Sequence, residues 1–298
     1  MAFGVLIHRS DSIYDDSPAK RYQFPSQYLG RMKACEGDWI IYYEPRKAAA
    51  TRGYFATARV ERVIADPTTP GMYLAEIDTP SYLEFPNPVP FSDENGLVER
   101  GLINPEGKIS GRAQSAVRPL SPEDFRRIVD LGLGAETDIL PRNDDVDTSG
   151  GFGDEAEPFV FDNRARASFV ASRVVRDRIF RKLILRAYGE RCAFTGLRLI
   201  NGGGRAEVQA AHIQPVEANG PDIMSNGLAL SGTMHWMFDR GLITLQDDLR
   251  ITLSRHVNDV EGVEAMINKS GIAWAPDRAA DRPHPQFLRW HRDNCFKH

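Results

Sequence analysis

Residues 134–162 constrain this chain most. They hold nine acids and a single base, Arg142, together with Pro141, Pro158 and the run Ser149-Gly150-Gly151-Phe152-Gly153. Turn-forming residues, one-signed charge and few apolar side chains cannot bury enough surface to offset the entropy of ordering. The stretch therefore predicts a linker over 134–163, which divides the 298 residues into segments 1–133 and 164–298, each long enough for one domain. Past the linker the charge reverses. From Arg164 to Arg191 nine bases face two acids, a local net charge of +7 in a chain whose total is −4. Such a run is either a solvated helix face or a surface that tracks phosphates; Arg173 and Arg176 are its candidate phosphate contacts.

The two segments differ in pattern. Phe3–His8, Asp38–Tyr43, Tyr54–Ala65 and Met72–Ile77 are β-branched and aromatic stretches bounded by Gly, Pro and Asp, which predicts strands. Pro122–Leu131 reads as a helix with Ser121 as its cap and proline at its first position. In the second segment Phe169, Val170, Val174, Ile179, Leu183 and Ala187 recur at helical spacing up to Gly189. The fold class is α+β in two domains, a β domain followed by a mixed one.

Composition excludes several classes. The three cysteines, Cys35, Cys192 and Cys295, form no close pair, which argues against a disulfide framework and against a four-cysteine zinc site. No apolar run approaches the roughly 20 residues of a membrane span. The six-residue apolar run Ala2–Ile7 has no cationic lead and is shorter than a typical secretory signal. A soluble cytoplasmic protein with no membrane association is expected.

Chemistry concentrates in three strings of the second segment: Ala210-Ala211-His212-Ile213-Gln214-Pro215, Ser225-Asn226-Gly227-Leu228 and His235-Trp236-Met237-Phe238-Asp239. Val208–Ile213 alternates as a strand and places His212 near its end. Asn226-Gly227 reads as a tight turn. Ser231 or Thr233 can cap a two-turn helix over 234–240, ended by Gly241, on which His235 and Asp239 share one face and could ligate one metal ion. A strand histidine, an Asn-Gly pair or a His–Asp helix pair is commonplace alone. Their combination at separations of 14, 9 and 4 residues is far more restrictive.

From about Arg173 to Val257, including the Cys192-x-x-Thr195-Gly196 turn, the chain resembles the HNH endonucleases of the ββα-metal fold. Its Ala-Ala-His-Ile-x-Pro, Asn-Gly-Leu and His-x-x-Phe-Asp strings are similar to those of bacterial restriction enzymes. The resemblance implies that His212 is the general base, that Asn226 orients the histidine and its loop, and that His235 binds a divalent ion with Asp239 beside it. The ion expected is Mg²⁺ or Mn²⁺, while Ni²⁺, Co²⁺ and Zn²⁺ also suit imidazole. Two departures stand out. Ala211 occupies the position where many relatives carry an extra ligand, and Cys192 lacks the partner cysteines of a structural zinc, so none is expected. Packing must then come from the basic helix and from the Phe287–Phe296 segment.

In the first segment, Gly37-Asp38-Trp39-Ile40-Ile41-Tyr42-Tyr43-Glu44-Pro45-Arg46, then Tyr54–Val60 and Asp66-Pro67, with Tyr22–Tyr28 upstream, resemble EVE domains of the PUA-like barrel superfamily over residues 2–118. That resemblance implies a reader of modified bases. Trp39, Tyr43 and Tyr22 are its candidate pocket walls, and Arg46, Lys47 and Arg52 its candidate phosphate contacts. The expectation is a modification-dependent restriction endonuclease acting on double-stranded DNA with 5-methyl- or 5-hydroxymethylcytosine. A single HNH motif further predicts a homodimer for double-strand cleavage, with Trp274, Phe287, Leu288 and Trp290 in the likelier interface half. The alternatives are an HNH nuclease whose first domain reads no modification, and a modified-DNA binder with an inactive nuclease fold.

Overall fold

The computed structural model describes residues 2–9, 14–45, 53–134 and 176–298, which fall into two compact units divided between Val175 and Arg176. The predicted linker beyond Gly134, Arg46, Lys47, Arg52 and Arg173 lie outside the described residues.

The first unit is built on strands β1 (Phe3–Ile7), β2 (Arg21–Pro25), β3 (Trp39–Glu44), β4 (Gly53–Ala65), β5 (Met72–Ile77), β6 (Leu83–Val89) and β9 (Val117–Leu120), with a short hairpin of β7 (Ser92–Asp93) and β8 (Gly96–Leu97). The pairing order is β2-β5-β4-β3-β1-β9, with β6 on β4. Among the described residues this path does not close on itself. β1 pairs parallel to β3, Val5 opposite Ile41, and the rest of the path is antiparallel. All six residues of β3 are buried, so both faces of the sheet are covered.

One face packs on α1 (Leu29–Ala34) around Tyr22, Phe24, Met32, Tyr42 and Phe55. The other is covered by α2 (Pro122–Leu133), whose Phe125 stacks on Phe3 at 4.2 Å between ring centroids. Burying a phenylalanine side chain stabilises by roughly 1.5–3 kcal/mol. Helix α2 starts as its sequence predicts, with the Ser121 hydroxyl accepting from the Asp124 amide at 3.1 Å, and it runs two residues further, to Leu133. Inside this unit the Arg118 guanidinium, fully buried, is held by Glu99 (Nη2–Oε2 2.7 Å), which also accepts from the Tyr54 hydroxyl at 2.8 Å.

The second unit begins with the described part of helix α3, residues 176–187. The antiparallel pair β10 (Gln209–His212) and β11 (Gly227–Leu230) follows, then α4 (Gly232–Asp239). Strands β12 (Ile243–Leu245) and β13 (Ile251–Leu253), α5 (Val260–Met266) and α6 (Pro285–Asn294) complete it. Helix α6 inserts Phe287, Leu288 and His291 into the core. The His291 ring lies flat on Phe238, 3.7 Å away with 7° between planes, and bonds Thr244 Oγ1 at 2.9 Å and the Phe238 carbonyl at 3.0 Å. Phe287 and Leu288 are therefore core residues rather than interface residues, whereas Trp274 is exposed and carries the Arg191 guanidinium over its ring at 4.9 Å.

No helix among the described residues is long and apolar enough to cross a membrane.

Candidate active site

Two features of local sequence fix the geometry of β10, β11 and α4. The first is Gly227. Sequence predicts an Asn-Gly turn here, but the turn ends with the short 3-10 stretch Met224–Asn226, and Gly227 opens β11 in an extended conformation, φ −133°. Its lack of a side chain serves close packing instead. A Cβ at this position would lie 2.3 Å from Ile184 Cδ1 and 2.8 Å from Phe180 Cζ, so α3 can press against the strand only over glycine. The second is Gly241 after α4, in the left-handed region at φ 67°, where a Cβ would meet the Cys295 carbonyl oxygen at 1.9 Å. At the other end of α4 the N-cap position is Ser231, but its hydroxyl does not cap. It lies 3.6 Å from Cys192 Sγ, while Glu207 Oε1 accepts from the Gly232 amide at 2.8 Å.

His212 closes β10, its backbone opposite Gly227. Its imidazole stacks on Phe180 of α3, centroids 4.0 Å apart and planes within 6°. Its Nε2 stands 3.0 Å from Asp222 Oδ1, and the other oxygen of Asp222 lies 3.9 Å from Arg176 Nη1. Arg176, proposed from sequence as a phosphate contact, thus faces this carboxylate. Asn226 is wholly buried and spans the loop after β10: its Oδ1 accepts from the Gln214 amide, and its Nδ2 donates to the Gln214 and Pro221 carbonyls, each at 2.9 Å. Asn226 therefore braces the loop backbone, and the side chain that meets the imidazole is Asp222. Sequence reading missed Asp222, Phe180 and Gln209. Only the position of Asp222 between Pro221 and Asn226, in a loop that must fold back on His212, could have singled it out.

On α4, His235 is mostly buried and Asp239 about half-exposed; His235 Nε2 and Asp239 Oδ2 stand 3.4 Å apart. Across from α4, Gln209 at the start of β10 places Oε1 2.9 Å from His235 Nδ1. Ala211, opposite Leu228 in the strand pair, is fully buried. In the first unit the three proposed pocket residues do not converge. Tyr22 lies in the core with Tyr42, its hydroxyl donating to the Ile7 carbonyl at 2.8 Å. Tyr43 packs at 4.7 Å on Tyr54, with the Arg118 guanidinium 5.3 Å over its ring. Trp39 alternates onto the same strand face as Tyr43 and is buried.

Residues 192–246 match the HNH endonuclease family. The second unit thus carries an HNH endonuclease domain, with His212, Asn226, His235 and Asp239 all inside the matched span. Solved structures similar to the chain include one described as the modification-dependent TagI restriction endonuclease, 14% identical at a TM-score of 0.30, covering 97% of this chain and 80% of that one. Another is the type IV phosphorothioation-dependent restriction endonuclease ScoMcrA, 12% identical at a TM-score of 0.20, covering 97% of this chain and 50% of that one. No curated protein matches.

HNH endonucleases use a divalent ion, and the donor set here suits one with few protein ligands. The amide oxygen of Gln209 can only accept, so His235 donates to it from Nδ1–H, and Nε2, which faces Asp239, is the nitrogen that would ligate the ion. Among the described residues no third His, Cys, Asp or Glu joins this pair. Water and phosphate oxygens would complete the coordination, as hard divalent cations accept readily.

Proposed function

We propose that this protein is a modification-dependent restriction endonuclease that hydrolyses phosphodiester bonds of double-stranded DNA at the His212 site. The observation that carries the reading is the His212–Asp222 contact at the end of β10, in a ββα unit whose helix presents His235 and Asp239. Nδ1 of His212 takes a proton from water as the water oxygen bonds to phosphorus, and the P–O3′ bond breaks with its electron pair left on O3′, which solvent protonates. His235 and Asp239 would hold the ion, Mg²⁺ or Mn²⁺ by availability. When bound it neutralises charge gathering on the phosphoryl and leaving oxygens. Asn226 keeps the loop that carries Asp222 in place. Arg173 and Arg176, with Arg46, Lys47 and Arg52 of the first segment, would contribute backbone contacts.

In this reading residues 1–133 form a PUA-like (EVE) domain that recognises 5-methyl- or 5-hydroxymethylcytosine, joined through 134–163 to the nuclease at 164–298. Support comes from the aromatic core of the first unit. Among the described residues, His8 Nδ1 and the Tyr42 hydroxyl are buried there with no hydrogen-bond partner, His8 beside Phe55 and Tyr42 beside Tyr82, with Asp16 Oδ2 3.9 Å from His8 Nδ1. Burying a polar group unsatisfied costs about 1–3 kcal/mol. The edge of a flipped base held between aromatic walls would satisfy such groups. A homodimer, one site per strand, would make the double-strand break.

The test is cleavage by the full-length protein of matched duplexes carrying cytosine, 5-methylcytosine, 5-hydroxymethylcytosine or glucosylated 5-hydroxymethylcytosine, in Mg²⁺ and in Mn²⁺. Cleavage of a modified duplex with the cytosine control intact is expected. Equal cleavage of all four overturns the reader assignment and leaves an HNH nuclease.

A further inference from the structure

We propose that Asp222 is the positioning residue of the reaction: it fixes the tautomer of His212, so that the atom accepting the proton from water is Nδ1. This rests on the reading of His212 as the base.

An imidazole can serve as a base only through a nitrogen that carries no proton, and which nitrogen that is depends on the partner of the other. An ionised carboxylate only accepts. With Asp222 Oδ1 at 3.0 Å, the proton of neutral His212 belongs on Nε2 and the lone pair on Nδ1. One further contact sets the plane of the ring. Phe180 lies parallel to it at 4.0 Å, and Gly227, bare of a side chain, lets α3 bring Phe180 that close.

Asp222 is itself held. Asn226 Nδ2 donates to the carbonyl of Pro221, the residue before it, the Ile223 amide bonds that same carbonyl at 2.9 Å, and Arg176 stands near its second oxygen. The chain of support runs from buried Asn226 through the Pro221 backbone to Asp222 and then to the imidazole. When Nδ1 takes the proton from water, the imidazolium formed keeps its Nε2–H directed at a negative charge, which stabilises it as the new P–O bond forms. No proton passes to Asp222 in this step.

The experiment combines ¹⁵N-imidazole NMR of the full-length protein, His212 assigned by loss of its signals in His212→Ala, with single-turnover cleavage of duplex DNA by wild type, Asp222→Ala, Asp222→Asn and His212→Ala. We expect an Nε2–H tautomer in wild type and a mixed population in Asp222→Ala. Cleavage by Asp222→Ala should be slower by about 100-fold, the lower range of general-base contributions, with the affinity for the duplex within about threefold of wild type. Asp222→Asn, whose amide oxygen can still accept from Nε2–H, should recover part of the rate. An Nδ1–H tautomer in wild type overturns the proposal whatever the rates are. So does a rate for Asp222→Ala within threefold of wild type while His212→Ala is inactive. An active His212→Ala instead overturns the base assignment, and the tautomer then decides the Asp222 contact by itself.

Discussion

Gln209 Oε1 meets His235 Nδ1 at 2.9 Å, so the first residue of β10 holds one nitrogen of the α4 histidine and leaves Nε2 to face Asp239. That makes Gln209, which no motif singles out, part of the proposed metal centre.

Removing this contact should weaken metal binding without removing a ligand. Partners that orient a ligating histidine are typically worth 10- to 100-fold in affinity. Gln209→Ala should bind Mn²⁺ about that much more weakly in calorimetry, and His235→Ala more weakly still. Unchanged binding in His235→Ala would move the ion elsewhere.

Gly227 should tolerate no side chain. In Gly227→Ala the new methyl group falls on Ile184 and Phe180, and overpacking of this kind costs about 1–3 kcal/mol. Chemical denaturation followed by a probe in the second unit should show that loss. Phe180 would also be displaced from the His212 ring, so cleavage should fall by more than the folded fraction alone explains. A variant as stable and active as wild type would contradict the packing described.

Acid should destabilise the second unit through His291. Burial pushes this imidazole down to about 4 from an ordinary value of 6.5, opposed in part by its bond to the Phe238 carbonyl. Above pH 6.5 it is neutral in both folded and unfolded chains, and its contribution is fully present. As pH falls from 6.5 toward 4 the unfolded chain takes up the proton first, and about 3 kcal/mol is lost. Unfolding midpoints between pH 7 and 4.5 should drop steeply in wild type and less steeply in His291→Gln. Parallel profiles would rule out His291 as the source.

The legibility of the sequence followed the range of the interactions. Helix α2 was readable because its signals are local, a serine cap followed by proline. Strands β3, β4 and β5 were readable from β-branched and aromatic runs, and the structure begins or ends them within a residue of expectation. What escaped depends on contacts between distant elements. Gly227 looks like half of a turn until α3 is packed against it. Asp222 is an ordinary loop acid until Asn226 folds the loop back over β10. Trp39 and Tyr43 are aromatic in sequence, but which face of β3 is enclosed by α1 and which by α2 is decided only by the assembled sheet. Phe287 and Leu288 look like an interface until α6 docks and buries them beside β12.

The central claim is that His212 activates the attacking water. Single-turnover cleavage of a 5-methylcytosine duplex in Mg²⁺ by His212→Ala, beside duplex binding measured on the same preparation, tests it most directly. The account predicts cleavage reduced by at least about 100-fold with binding unchanged. Cleavage within tenfold of wild type would contradict it.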